Sequence, residues 1–295
     1  MNWIRRWKLS AIETINHNGQ PCLSPKILWN ALHSTFNTTL NCQVDLNILN
    51  EVERKPSCPW SPFSKEEFKS VISKYSDLSV PGLDKLMWYH LKFIVNQDTC
   101  LTNIINIANS CINLGYWLKY FKYMSTIIIP KSNKTLYNQL KAFRPIVLLN
   151  TLGKLIEKVI TERLQFTVTS NDFIHPSQRG ELKFKSTMDA GIVLTHIVHS
   201  EWVKGKSTSS LAFNISQFFL SLNHKLLTLI IEKVGLDPKV TSFFANYLVK
   251  RKTSYVWNDF SSPSFEVNVG VGQGSALSSI LSALYLTPFL YILEK

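Results

Sequence analysis

The segment "FNISQFFLSLNH" at residues 213–224 places an amide side chain, Asn214, near the end of an apolar run that is typical of a strand entering a turn. An amide oxygen can contact Mg²⁺, but it brings no negative charge and cannot replace a carboxylate that bridges two ions. His196 and His199 lie three residues apart on a predicted helix, and His224 lies at a turn. Because no nearby cysteine or carboxylate completes a metal set around them, we interpret these histidines as structural.

Two further stretches carry basic side chains beside strand-like runs. "MSTIIIPK", which ends at Lys131, is a β-branched run closed by a proline. A polar connection at residues 133–140 separates it from a second extended run, "FRPIVLL", which contains Arg144. This pattern predicts a finger-like hairpin with a basic loop.

The remaining segments predict mostly helices. "SPFSKEEFKSVISKY" combines a serine cap, an acidic first turn and apolar residues at helical spacing. "TLGKLIEKVITERLQF" predicts an amphipathic helix, with charged residues, Glu157 among them, mostly off the apolar face formed by Leu152, Leu155, Ile156, Val159, Ile160 and Leu164. "STMDAGIVLTHIVHSEW" predicts a further helix, where Asp189 fits a helix start or a solvated surface at least as well as a chemical role.

Short strands and turns complete the prediction. "SSLAFNIS" predicts a strand, "TSYVWN" and "SFEVNVGV" predict a hairpin, and "HKLLTLIIEKVG" and "DPKVTSFFANYLVKR" predict two more helices. The fold class is therefore α/β (α+β) with antiparallel strand pairs, rather than a doubly wound parallel sheet.

Composition narrows the class of protein. A chain of 295 residues with 45% hydrophobic content can fill one large domain or two modest ones. The net charge of +12 favours a polyanionic partner such as RNA or DNA, with a solvated basic surface as the alternative. Five cysteines without a C-x-x-C pair argue against a zinc ribbon or a disulfide framework, and residues 1–8 do not resemble a signal peptide. These features indicate an intracellular, reduced protein.

The apolar carboxyl-terminal part could be mistaken for a membrane span. No residue from Val267 to Leu293 is charged, but this stretch contains several serines, a threonine and a proline. A buried helix is favoured over a membrane segment, so we expect no membrane partner.

Five landmarks in this order resemble the reverse transcriptase domain of non-LTR, LINE-like retrotransposons, particularly the fungal branch. They cover roughly residues 60–295, and they are "VPGLDKLMWYHLKFI", "IIIPK" with "FRPIVLLNTLGKLIEKVITERL", "HPSQRGELKFKSTMDA", "LAFNISQFFLSLNHKLL" and "VGVGQGSALSSILSALYLTP". The resemblance implies an incomplete right-hand polymerase. Residues 1–59 would be an unassigned extension, 60–210 the fingers-like part with helices and strands, and 211–295 a partial, truncated palm that lacks the Asp-Asp hairpin.

The same resemblance assigns roles to five positions. Asn214 stands where the family has its first metal-binding aspartate. Lys131 and Arg144 would lie over the incoming triphosphate, where a point charge and a planar fork both suit phosphate oxygens, although a solvated basic loop is the alternative. Phe219 would exclude a ribose 2′-hydroxyl, or be ordinary core. Gln273, in "GQGS", would lie beside the nucleotide and template base, or at a simple hairpin exit.

Polymerases of this family use two magnesium ions held by aspartates, and the 295 residues contain no Asp-Asp pair. We therefore expect an inactive reverse transcriptase fragment that retains no metal cofactor, although intact relatives use Mg²⁺. The expected partner is RNA or an RNA/DNA primer-template, without a defined protein partner. The alternative function is a retained, non-catalytic RNA- or DNA-binding module. The sequence does not fix the compartment, and the nucleus is one option.

Three departures from the family pattern, Asn214 for aspartate and Leu220 and Ser279 for prolines, each need one G-to-A or C-to-T change. They suggest a degenerate, truncated copy altered by cytosine deamination or a similar process. A palm without its central hairpin would also leave a sheet edge and the apolar helix at residues 275–293 uncovered, which predicts poor solubility.

Overall fold

The computed structural model describes residues 15–37, 43–77 and 79–295, so the expectations for residues 1–8 and for Cys42 lie outside it. The described helices are α1 (Pro25–Phe36), α2 (Lys65–Ser73), α3 (Trp88–Val95), α4 (Asp98–Asn113), α5 (Thr151–Ser170), α6 (Thr187–Val203), α7 (Phe218–Ser221), α8 (His224–Lys233), α9 (Pro238–Leu248) and α10 (Leu277–Leu293). The described strands are β1 (Asn16–His17), β2 (Gln20–Pro21), β3 (Tyr123–Pro130), β4 (Phe143–Leu148), β5 (Arg251–Trp257), β6 (Phe260–Ser261) and β7 (Phe265–Val267). Short 3₁₀ turns span Leu46–Glu51, Lys119–Lys122 and Leu140–Ala142.

Helix α2 begins with the serine cap that its sequence predicts. The Ser64 hydroxyl accepts a hydrogen bond from the Glu67 backbone N–H at 3.3 Å. The Glu67 carboxylate accepts one in return from the Ser64 N–H at 2.8 Å. These reciprocal bonds satisfy two donors that the helix itself cannot pair, and they fix where the helix begins.

Helix α5 is the central helix of the largest core. The apolar residues predicted for its inner face are buried, apart from Leu152, which is half-buried. Helices α2, α3 and α10 pack against it. Contrary to the sequence pattern, Glu157 is also inside, with only 1% of its surface exposed. The prediction that its charged residues lie mostly off the apolar face is therefore wrong at Glu157, because Tyr247 and Ser275 supply hydrogen bonds that compensate burial.

The main sheet confirms the two predicted hairpins. Strand β3 pairs antiparallel with β4, with Ile128 opposite Pro145. Strand β5 pairs antiparallel with both β6 and β7, with Trp257 opposite Phe260.

One pair of strands contradicts the expected antiparallel arrangement. Strand β3 pairs with β5 in parallel, with Ser125 opposite Ser254. A parallel pair needs a long crossover connection, and residues 131–250 supply one that includes β4 and five helices of the described chain. Thr126 and Thr253 on these two strands are joined by a hydrogen bond of 2.7 Å between their hydroxyls.

The strand predicted for "SSLAFNIS" is also wrong. Residues 207–215 have no regular structure, and Leu211 and Phe213 are 77% and 79% exposed. The alternation of apolar and small or polar residues fits a strand, but no described strand pairs with this backbone. Without a ladder of hydrogen bonds, β propensity alone does not define a strand.

The apolar carboxyl-terminal helix, α10, is more covered than the sequence suggested. Its residues from Leu277 to Leu284 are almost all buried against α5, α8 and the turn at Leu46–Glu51. Only its last turns expose large apolar side chains, at Phe289, Ile292 and Leu293. The expectation that this helix lies uncovered is therefore wrong for its first half. Among the described helices, none is long and apolar enough to cross a membrane.

Helix α1 packs against the main sheet. Leu32 and Phe36 lie in one apolar cluster with Ile128 of β3 and Tyr255 of β5. The Trp29 ring meets the Phe265 ring edge-on, with 5.1 Å between their centroids. The sequence-based boundaries after residues 59 and 210 remain predictions.

Gly82 lies where the backbone approaches another segment too closely for any side chain. A Cβ at this position would lie 2.2 Å from the Leu149 carbonyl oxygen and 2.6 Å from the Asn150 nitrogen. We expect Gly82→Ala to lower the free energy of unfolding by about 3 kcal/mol, because backbone atoms must shift. Urea denaturation checks this value.

Gly191→Ala is the matched control for that measurement. Gly191 lies in α6, and a Cβ there would meet nothing within 4 Å. This change should raise stability by up to about 1 kcal/mol through helix propensity. Equal effects of the two substitutions would contradict the close approach at Gly82.

Candidate nucleic-acid interface

A cavity of about 520 Å³ opens between the β3–β4 hairpin, the segment before α7 and the glycine-rich turn before α10. It brings together all five residues that the sequence singled out, although they are spread over more than 140 positions: Lys131, Arg144, Asn214, Phe219 and Gln273. Three elements that are distant in sequence therefore converge on one site.

The hairpin supplies the basic wall of the cavity. Lys131 follows β3, and its N–H donates to the Ala142 carbonyl at 2.8 Å while its Nζ donates to the Lys141 carbonyl at 2.8 Å. Arg144 stands on β4 opposite Ile129. Burial, with the charges of Arg144 and Lys134, lowers the pKa of Lys131. Burial is the larger cause, and the neighbouring positive charges add to it, so an anion beside Lys131 would favour its charged form.

The wall opposite is formed by the start of α7. Gln217, at φ 54°, is in the left-handed conformation, and its side-chain Nε2 donates to the Thr35 carbonyl at 2.8 Å. Phe219 is half-buried beside it. Its carbonyl accepts a hydrogen bond from the Val271 N–H at 2.7 Å, which ties this wall to the glycine-rich turn.

The turn that carries Gln273 lies against β4. The Val147 N–H donates to the Gln273 carbonyl at 2.7 Å. Gly274 follows with φ +114°, and a Cβ on it would lie 2.9 Å from the Val147 carbonyl oxygen. Glycine at residue 274 therefore permits the close approach of this turn to the β4 backbone.

Asn214 lines the same cavity on an exposed, irregular segment. The described lining contains three cations, Lys131, Lys141 and Arg144, and no carboxylate. The described residues also contain no group of three or more His, Cys, Asp or Glu side chains that could hold a metal. Hard divalent cations need carboxylate oxygens, so the residues present do not fit the two-magnesium centre of the polymerase family.

The other candidate residues do not line this cavity. Asp189 forms a capping box with Ser186 at the start of α6, which confirms its interpretation as a helix-start residue. His196 and His199 are exposed on α6. His224 is largely buried, and its Nε2 donates to the Gly270 carbonyl at 2.7 Å.

Sequence reasoning missed three residues of this region. Lys141 and Gln217 line the cavity. Lys141 belongs to the basic loop, so the charge of that loop was a usable signal for it. No sequence signal pointed to Gln217, because its position at the cavity depends on a left-handed backbone conformation. The third residue is Glu157, directly behind the glycine-rich turn. Because it is charged, the sequence pattern gave no sign that it is buried.

The family model described as reverse transcriptase (RNA-dependent DNA polymerase) matches residues 129–295, more than half of the chain. The chain belongs to the reverse transcriptase family. The match begins at the end of β3 and includes the loop after it, β4, Asn214 and the glycine-rich turn, so all three cations of the cavity lie within it. The mixed helix and strand architecture agrees with the expected α/β polymerase-like fold.

Three relatives indicate which type of reverse transcriptase the chain resembles. The chain is 27% identical over 232 residues to the RNA-directed DNA polymerase from mobile element jockey of Drosophila melanogaster, covering 78% of this chain and 25% of that protein. It is 26% identical over 254 residues to the probable RNA-directed DNA polymerase from transposon BS of the same species, covering 86% and 27%. It is 22% identical over 243 residues to the transposon TX1 uncharacterized 149 kDa protein of Xenopus laevis, covering 82% and 18%.

These similarities identify a reverse transcriptase domain of the non-LTR retrotransposon type. The chain spans about a quarter of the length of the first two relatives. The relatives come from fruit flies and a frog, so they do not support the fungal branch that the sequence suggested.

Proposed function

We propose that this reverse transcriptase domain binds an RNA or RNA/DNA primer-template in the cavity at the β3–β4 hairpin and does not polymerise. The observation that carries the proposal is the lining of that cavity, which combines three cations with no carboxylate among its described residues. Lys131, Lys141 and Arg144 can pair with phosphate oxygens there, whereas the lining side chains offer a divalent cation only amide and hydroxyl oxygens.

The loss of catalysis is the second part of the proposal. Asn214 occupies the position that the family gives to a metal-binding aspartate, and it lies in the cavity beside the basic residues. An amide keeps the size of the side chain and removes its charge. Binding through phosphate contacts does not need that charge, so recognition can persist where nucleotidyl transfer has been lost. This combination describes a degenerate copy that retains nucleic-acid binding.

Salt dependence tests the binding. Three phosphate contacts predict that log K falls with log salt concentration at a slope of about −2.7 on a duplex, which is roughly a 40-fold weakening between about 50 and about 200 mM. Fluorescence anisotropy of a labelled RNA/DNA primer-template, titrated with the protein at several salt concentrations, measures that slope. Binding that is independent of salt, or absent at low salt, would contradict the proposal.

Single charge removals test the location. Lys131→Gln and Arg144→Gln should each weaken binding and make the slope shallower by about 0.9, because each removes one phosphate contact. Lys69→Gln is the matched control, since Lys69 is an exposed lysine of α2 that does not line the cavity. Equal effects of all three changes would indicate a general surface charge effect instead of this site.

A further inference from the structure

A buried ring of three side chains lies behind the turn that carries Gln273. Glu157 of α5 is 1% exposed. The Tyr247 hydroxyl of α9 lies 2.9 Å from its Oε1, and the Ser275 hydroxyl lies 2.6 Å from its Oε2. The two hydroxyl oxygens are themselves 3.2 Å apart. The three polar groups therefore close a triangle that joins two helices to the glycine-rich turn.

A neutral carboxyl satisfies this triangle completely. If Glu157 is protonated, each member donates one hydrogen bond and accepts one: Glu157 to Ser275, Ser275 to Tyr247 and Tyr247 to Glu157. An ionised Glu157 takes both hydroxyl protons and leaves the contact between Tyr247 and Ser275 without a hydrogen. Burial raises the pKa of Glu157, against the hydrogen bonds from Ser275 and Tyr247 and the charges of Arg251 and Lys154. The geometry and the direction of the shift both agree with the closed ring.

The ring is connected directly to the turn. Ser275 lies two residues after Gln273, and its N–H donates to the Gly272 carbonyl at 2.9 Å. Its hydroxyl also accepts from the Leu277 N–H at 3.2 Å, where α10 begins. On the other side of the turn, the Gln273 carbonyl accepts from Val147 of β4. Gln273, which lines the cavity, is therefore held between a strand and the buried ring.

We propose that Glu157 and Tyr247 are positioning residues that act through Ser275 to hold Gln273 at the nucleic-acid cavity. The proposal rests on the proposed function for its ligand. The two residues touch no part of the cavity themselves. They supply hydrogen bonds that fix where the turn lies, so that the Gln273 amide stays directed at the bound strand.

Substitutions at Glu157 distinguish the effect of the hydrogen-bonded ring from the effect of the carboxylate charge. Glu157→Gln keeps one acceptor and one donor, so it preserves the ring with a neutral group of the same shape. Glu157→Leu removes both. Hydrogen exchange, read by mass spectrometry on peptides covering residues 270–275, should be at least tenfold faster in Glu157→Leu and in Tyr247→Phe than in the unmodified protein. It should be unchanged in Glu157→Gln.

Gln165→Leu is the control for general destabilisation. Gln165 is a buried polar residue on the same helix, and its amide bonds Glu181 and Lys183 in a loop that does not line the cavity. It should loosen that loop and leave the exchange of residues 270–275 unchanged. Faster exchange at residues 270–275 in this control, or in Glu157→Gln, would overturn the positioning role of the ring.

A double-mutant cycle connects the ring to binding. Gln273→Ala and Glu157→Leu should each weaken binding of the RNA/DNA primer-template roughly tenfold, and the double variant should be no weaker than either alone. Additive losses would mean that Glu157 acts independently of Gln273, and the proposal would be wrong. Absence of binding by the unmodified protein would overturn the proposed function instead, and hydrogen exchange would still decide whether the ring holds the turn.

Discussion

We expect the purified protein to extend no primer on an RNA template, and we expect Asn214→Asp alone to restore no extension. Two-metal catalysis supplies several kcal/mol of transition-state stabilisation, and each ~1.4 kcal/mol is tenfold in rate. Losing the centre should therefore lower the rate by more than ~1,000-fold. A single new carboxylate at residue 214 still faces Lys131, Lys141 and Arg144, with no second carboxylate in the described lining.

The measurement is the extension of a labelled primer with all four deoxynucleotides, in Mg²⁺ and separately in Mn²⁺, resolved on a sequencing gel. Binding of the same primer-template by anisotropy shows in parallel that each preparation is folded and occupied. Template-dependent extension by the unmodified protein, lost in Lys131→Gln, would show that this cavity is catalytic and that the proposed lack of polymerisation is wrong. Extension by Asn214→Asp alone would show that one aspartate suffices to assemble a metal centre.

The regular elements were predictable because their signals are local. The capping box of α2, the buried face of α5 and the β-branched run of β3 each depend on residues that are close in sequence. A serine three residues before a glutamate satisfies a helix start wherever that helix packs. These predictions therefore needed no knowledge of the tertiary structure.

The errors concern interactions between distant segments. Whether residues 207–215 form a strand depends on a partner strand, and whether β3 pairs in parallel depends on where a crossover of more than 100 residues returns. Glu157 is buried only because Tyr247 and Ser275, 90 and 118 positions away, satisfy its oxygens. No local pattern contains this information.

The candidate site residues were proposed from the family resemblance and not from local sequence patterns. Neither spacing nor charge indicates that Lys131, Asn214 and Gln273 meet in one cavity, and only the family resemblance assigned them together. In the structure all three line one cavity. Their roles in binding follow from the proposal and its tests. Gln217 could not be predicted by either route, because no sequence pattern indicates a left-handed backbone conformation at a glutamine.

Lowering the pH should reduce the free energy of unfolding, because His224 takes up a proton more readily in the unfolded chain than in the folded one. Burial, with the nearby positive charge of Arg251, lowers the pKa of His224 to about 4 from its ordinary 6.5, against the hydrogen bond to the Gly270 carbonyl. The unfolded chain then binds a proton that the folded chain refuses, so stability falls as the pH drops through the window from 6.5 to about 4. The loss should be about 2 kcal/mol between about pH 7 and about pH 5, and about 3 kcal/mol in full.

Urea denaturation at a series of pH values measures this loss, and His224→Gln isolates it. A glutamine Nε2 can still donate to the Gly270 carbonyl but cannot take up a proton, so the variant should lose about 2 kcal/mol less than the unmodified protein between about pH 7 and about pH 5. His196→Gln is the matched control, because it makes the same substitution at an exposed histidine of α6. Identical pH profiles for His224→Gln and the unmodified protein would show that His224 is protonated equally in the folded and unfolded states, and that its burial does not hold it neutral.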